Sequence, residues 1–323
     1  MNEEIKLDLK DRKILLELDR NARQSNSEIA KKVGLNKNTV NYKISRMVEE
    51  GLIQGYYAVI DSSKFGYFSV RVYAKFFNTN EKKENEILNW LKNNKFVGVV
   101  SRIDSNYDFG FMAYVKNIYE WENVLNDFKE KFREFFWQER VDIFCRVFHY
   151  TRTYLLDKNQ DASRDIQTIG GEKIEKTDEL DLKILSILAK NAKLPLIEIA
   201  EKLKADVRTI AFRIKQLEKR KIIQGYRVLL NLNKIGYEYY KLNIKLNDCS
   251  NYKKLFGFCE NHKNVIYIDQ TLGDLDFEID IEVHGRQELL ELIAEIKKNF
   301  PVRDIETLNF KEYLKLETLP QNF

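Results

Sequence analysis

Shifted by about 170 residues, this chain lies on itself without a gap, and that self-similarity limits its architecture more than any other feature. Asp11-Arg12-Lys13-Ile14-Leu15 falls on Asp181-Leu182-Lys183-Ile184-Leu185, and Asn21-Ala22 falls on Asn191-Ala192. Glu28-Ile29-Ala30 meets Glu198-Ile199-Ala200, Ile53-Gln54-Gly55-Tyr56 meets Ile223-Gln224-Gly225-Tyr226, and Gly66-Tyr67 meets Gly236-Tyr237. About a third of these positions are identical, well above chance for an ungapped window. A more diverged pair follows, with Asn106-Tyr107-Asp108-Phe109 opposite Asp274-Leu275-Asp276-Phe277. Each half is therefore a front unit plus a back unit, read as 1–66 and 67–155, then 177–236 and 237–323. Residues 156–176, polar and without apolar periodicity, read as a flexible linker.

The front unit has the pattern of three short helices. Ile14, Leu15, Leu18 and Ala22 recur at helical spacing. Ser25 with Glu28 forms a capping box, and Ile29, Ala30 and Val33 give a second helix its buried edge. Gly34 supplies the turn, and Asn36 caps a third helix with the stripe Val40, Ile44, Met47 and Val48. Gly51 stops it. A tight turn before a third helix is the helix-turn-helix plan, in which that helix enters the major groove of duplex DNA. Projection at 100° per residue turns Asn38, Thr39, Tyr42, Ser45 and Arg46 away from the core, and Lys43 is counted with them as a candidate DNA contact. The second copy keeps the stripe as Ile210, Ile214 and Leu217 and turns Arg208, Thr209, Phe212, Lys215, Gln216 and Lys219 outward, with Arg213 nearby as a further candidate DNA contact. With Arg220 and Lys221 this is the densest basic cluster of the chain, as phosphate attraction requires. Pro195 stands where the capping serine was, and Lys204 where the turn glycine was.

In the back unit, Phe68, Val70, Val72, Ala74 and Phe76 alternate as a half-buried strand does, and Ile87, Leu88 and Leu91 follow at helical spacing. Two strands, Phe96 to Arg102 and Phe109 to Val115, flank a turn at Asp104-Ser105-Asn106. A helix marked by Trp121, Val124, Leu125, Phe128 and Phe132 comes next, and a strand from Val141 to Tyr150 closes the unit. The order βαββαβ predicts a ferredoxin-like sheet with helices on one face, so the fold class is α+β. The other sheet face needs a cover, and the second copy is the obvious one.

Composition narrows the function. No apolar run reaches the length of a membrane span, and the acidic opening Met1-Asn2-Glu3-Glu4 is unlike a secretory signal, so a cytoplasmic address is expected. Cys145, Cys249 and Cys259 have no paired spacing, which argues against a disulfide framework or zinc site. The net charge of +4 is too mild to announce a nucleic-acid partner by itself. No phosphate loop or nucleophile elbow is present, and no cofactor is expected.

In the first copy the runs Leu9-Lys10-Asp11-Arg12-Lys13-Ile14-Leu15, Asn21-Ala22-Arg23-Gln24-Ser25, Glu28 through Leu35, and Gly51-Leu52-Ile53-Gln54-Gly55-Tyr56 resemble the leucine-responsive and asparagine regulators, the Lrp/AsnC family. The resemblance implies a winged helix-turn-helix reader followed by an effector-sensing α+β domain of the RAM type. It also implies a sequence-specific transcription regulator, duplex DNA as partner and an amino acid as effector. The family's Gly-Asp-x-Asp turn is kept as Gly273-Asp274-Leu275-Asp276, which implies an effector site at Gly273, Asp274 and Asp276; a turn whose carboxylates cap backbone amides is the plainer reading. The first copy has Ser105-Asn106-Tyr107-Asp108 there. Siroheme decarboxylases resemble this family too, and a fused enzyme of that kind is the alternative. Its acid and base chemistry calls for histidine in the central turn, but His149, His262 and His284 all lie elsewhere, so no enzyme is expected. One chain should supply the equivalent of a family dimer, its α+β domains paired sheet to sheet, with further homo-oligomerisation open.

Overall fold

The computed structural model describes residues 4–156 and 164–320. Each half opens with three helices: α1 (Leu9–Arg20), α2 (Asn26–Val33) and α3 (Lys37–Glu49), then α6 (Glu179–Lys190), α7 (Leu196–Leu203) and α8 (Val207–Lys219). The signals read from the sequence operate locally. Ser25 and Glu28 close the capping box, and Asn36 Oδ1 accepts from the Thr39 amide at 2.8 Å. Val48, expected in the stripe, is instead exposed. Gly34 ends α2 in the left-handed region at φ 67°, and Gly51 follows α3 at φ 74°. In the second copy Lys204 and Lys221 hold the same two positions at φ 50° and 57°. The conformation has outlived the glycines that favour it.

A wing strand follows each reader, β1 (Ile53–Ile60) and β7 (Ile223–Leu230), and the two pair with each other antiparallel. This exchange completes both readers. Val228 and Leu230 of the second half enter the core built on Ile14, Leu15 and Leu18, while Ala58 and Ile60 of the first enter the core built on Ile184 and Leu185. The joins are pseudo-symmetric. Ala22 N–H donates to Tyr226 and Ala192 N–H to Tyr56, both at 2.9 Å, and Asp61 N–H donates to Ile222 as Asn231 N–H does to Leu52.

The back units are β2 (Phe68–Phe76), α4 (Glu81–Asn93), β3 (Val97–Asp104), β4 (Phe109–Val115), α5 (Ile118–Phe132) and β5 (Phe136–Tyr150), then β8 (Glu238–Leu246), α9 (Tyr252–Asn261), β9 (Val265–Leu272), β10 (Phe277–Val283), α10 (Gly285–Asn299) and β11 (Val302–Leu316). Both keep the expected βαββαβ order. Their pairing is edge to edge. β5 is longer than the predicted strand, pairing with β2 through residues 136–143 and with β9 through 143–149. β11 likewise joins β8 to β3. Since β2 also pairs with β5, the strands close into one ring in the order β2-β4-β3-β11-β8-β10-β9-β5. Val70, Val72 and Ala74 on β2 pack under α4 and α5, and Leu242, Ile244, Ile279 and Ile281 pack under α9 and α10. The alternate residues point into the ring.

The linker is only partly a linker. Residues 157–163 lie outside the described residues, but β6 (Ile166–Ile169) pairs with the end of β5 and buries Gln167. No described helix is long and apolar enough to cross a membrane.

Candidate functional site

On α3, Asn38, Tyr42 and Ser45 are exposed and Thr39 is half-buried. Lys43 and Arg46, grouped with them as candidate DNA contacts, bend back instead. The Lys43 ammonium sits 2.7 Å from Asp8 and 3.0 Å from Asp11, and the Arg46 guanidinium 2.8 Å from Asp11, whose side chain is 1% exposed. These contacts tie the recognition helix to α1. The pairing with Lys43 holds the Asp8 carboxyl down at about 2.

α8 is built on the same plan with a different balance. Asp206 caps it by accepting from the Arg208 and Thr209 amides. Arg213 turns inward to Asp178 at 2.6 Å and Asp181 at 3.3 Å, and Arg220 joins it on the buried Asp181. Arg208, Thr209, Phe212, Lys215 and Lys219 are exposed. Among the described residues no carboxylate pairs with the side chains of Arg208, Lys215 or Lys219. The second reader thus offers a phosphate backbone three unneutralised cations, whereas the two cations of α3 singled out in the sequence are spent on holding the helix.

In the Gly273–Asp276 turn, Asp276 accepts the Leu246 amide at 2.7 Å and Asp274 meets Lys245 at 2.9 Å on the surface. Asp108 accepts the Phe76 amide in the same way in the first copy. The plainer reading of this carboxylate, an amide cap, describes both copies. Gly273 passes so close to Asp142 that a side chain would collide with its carboxylate.

A cavity of about 660 Å³ lies within the ring, roofed by the β1–β7 ribbon through Tyr57, Val59 and Leu230. No motif in the sequence pointed to it. Its walls carry Arg71, Tyr73, Lys241, Tyr267, Asp269 and Asp280. Arg71 bonds to Asp142, Asp269 and Glu278, and Lys241 reaches Asp269 at 2.6 Å and Asp280 at 3.0 Å. Burial and the nearby Arg71 push the Lys241 ammonium down, but Asp269, Asp280 and Glu278 more than offset them and it stays charged. Burial drives the Asp142 and Asp280 carboxyls up. Beside this group, Arg152 bridges Asp19 and Glu282, and Arg227 grips Asp19 at 2.6 Å.

His149, which the sequence places outside the central turn, is 1% exposed in the cavity wall. It stacks on Tyr267 with ring centroids 4.2 Å apart, and its Nε2 has no hydrogen-bond partner among the described residues. Burial, reinforced by Arg227 and Arg152, keeps it neutral. No group of three or more metal-ligating side chains converges among the described residues.

The family model for winged helix-turn-helix DNA-binding domains matches residues 7–54 and again 177–224. An uncharacterised HTH-type transcriptional regulator of Pyrococcus furiosus is 31% identical over 147 residues, which is 45% of this chain and 95% of that protein. The regulatory protein AsnC of Haemophilus influenzae is 29% identical over 133 residues, 41% of this chain and 89% of AsnC. This chain belongs to the Lrp/AsnC family. It is a DNA-binding transcription regulator in which two family-sized units share one chain. The crystal structure of the siroheme decarboxylase NirDL superposes on this Lrp/AsnC protein over 96% of its length and 94% of the other's, with a TM-score of 0.64. At 16% identity that likeness is one of fold.

Proposed function

We propose that this protein reads an asymmetric operator with two unlike helices, answers to a small effector and carries out no reaction. The observation that supports it best is the contrast between the readers. α3 offers Asn38, Tyr42 and Ser45, while α8 offers Arg208, Phe212 and Lys215 with unpaired charge. Because the readers share the β1–β7 ribbon and each completes the other's core, one chain presents both, as a homodimer presents two equal ones. Equal helices favour a palindrome with half-sites about 34–36 Å apart or at multiples of that. Unequal helices favour two different half-sites.

The fused decarboxylase is the second reading, favoured by the fold likeness over the whole chain. NirDL has been crystallised with an iron-uroporphyrin III analogue, a macrocycle rimmed with carboxylates. The cavity here is poorly matched to such a polyanion, because Arg71, Arg152 and Lys241 are already bonded to carboxylates of the protein itself. Desolvating further anions against that wall carries a penalty with nothing to offset it. Selection from a random duplex library tests the proposal. A non-palindromic motif with salt-sensitive affinity is expected; a clean palindrome would mean that equal readers from two chains act together.

A further inference from the structure

The interior cavity has two properties that the DNA-reading role does not use. Its charges do not balance: Arg71 and Lys241 are the cations shared among Asp142, Asp269, Glu278 and Asp280, and Arg140, 3.5 Å from Asp142, adds no surplus because it is also bonded to Glu306 at 2.6 Å. Among the described residues these cations are outnumbered by their carboxylates, of which Asp269 and Asp280 line the cavity itself. The second property is a polar group without a hydrogen-bond partner among the described residues, the Nε2 of His149, in the same wall. A buried polar atom of this kind costs free energy unless something fills the space and bonds to it.

We infer that the cavity binds a small organic amine with a flat apolar body, whose ammonium supplies the positive charge missing beside Asp269 and Asp280. The rest of the lining fits that chemistry. Tyr57, Tyr73, Tyr239 and Tyr267 line it, and aromatic rings attract cations and stack on flat bodies. The volume lies in the range of small-molecule sites. His149, held neutral, can accept an N–H or donate its own, depending on tautomer. A ligand there touches the ribbon strands that leave α3 and α8, so occupancy bears on the relative placement of the two readers. This inference rests on the regulator reading for its purpose, but not for its chemistry.

Three ligands sharing one ring system separate the charge classes: tryptamine as amine, tryptophan as zwitterion and indole-3-propionate as acid. Thermal melts of the full chain with each at millimolar concentration are the measurement. Tryptamine is expected to raise Tm, by about 2–4 °C at tenfold its Kd, where the folded state gains about elevenfold in population. Tryptophan should do less and the acid nothing. Asp280→Asn removes the charge and should abolish the shift. Because that variant disturbs a buried network, Ser69→Trp serves as the second: it fills the cavity from its wall without changing charge and should abolish the shift too. Stabilisation by the acid, by none of the three, or by tryptamine equally in Ser69→Trp would overturn the inference. Duplex binding of the unliganded protein is scored separately. Binding to DNA without any amine response sinks the cavity assignment alone, and amine response without DNA binding sinks the regulator reading alone.

Discussion

Replacing Lys215 and Lys219 together by alanine should flatten the salt dependence of DNA binding. Both are exposed on α8, opposite the buried stripe Ile210, Ile214 and Leu217, and neither is paired with a carboxylate among the described residues. A lysine that neutralises one phosphate of B-DNA contributes about 0.9 to the slope of log K against log salt. Two such contacts contribute about 1.8, so between 50 and 200 mM salt they account for about a twelvefold loss of affinity that the double variant no longer undergoes. The cost to folding should be near zero, because surface changes that break no contact stay within about 0.5 kcal/mol. Lys43→Ala is the contrasting case. Lys43 is anchored to Asp8 and to the buried Asp11, so its loss should lower Tm and leave the salt slope almost unchanged. Fluorescence anisotropy on a labelled operator across a salt series gives the slopes, and circular dichroism melts give the stabilities. A slope unchanged in the double variant, or one that falls as far in Lys43→Ala, would refute the division between exposed reading cations and inward locking cations.

Lys204→Gly and Lys221→Gly should each stabilise the protein by about 1 kcal/mol, since both residues hold left-handed backbone that a side chain disfavours; chemical denaturation measures it, and a loss of stability would show that their side chains contribute more than their backbones cost. Asp19→Ala should cost about 3–5 kcal/mol, because it takes from the buried Arg227 its carboxylate partner and leaves Arg152 with Glu282 alone; a cost under 1 kcal/mol would mean that water or Glu282 takes its place. His149→Phe should make stability less sensitive to acid as pH falls below about 6.5. His149 is held below its ordinary value in the folded protein, so the unfolded chain takes up the proton first, and the native state loses up to about 1.4 kcal/mol per pH unit as pH falls below that ordinary value. Asp142 and Asp280, raised by burial, act with the opposite sign in both proteins, so the difference between the two melting curves is the readout, and parallel curves would count against a neutral buried imidazole.

The sequence by itself determined what depends on neighbours along the chain. Ser25 with Glu28, Asn36 and the period of Val40, Ile44 and Met47 set the reader helices, because caps and amphipathic stripes act within a few residues. The duplication likewise fixed the order βαββαβ in both halves. Position along the recognition helices made Lys43, Arg46 and Arg213 candidate DNA contacts, but it carries no information about Asp11 and Asp181, more than thirty residues away, which draw those cations inward. The tertiary structure decided the rest. In β10 the alternation of Glu278, Asp280 and Glu282 with Ile279 and Ile281 reads as a strand with one face in water. Ring closure by β5 and β11 buries that polar face as well, and so forces Arg71, Lys241 and the carboxylates into one network around a cavity. Period-two patterning tells which residues share a face of a strand, not what lies across from that face. The partner surface here comes from the other half of the chain, and only the folded arrangement brings it there.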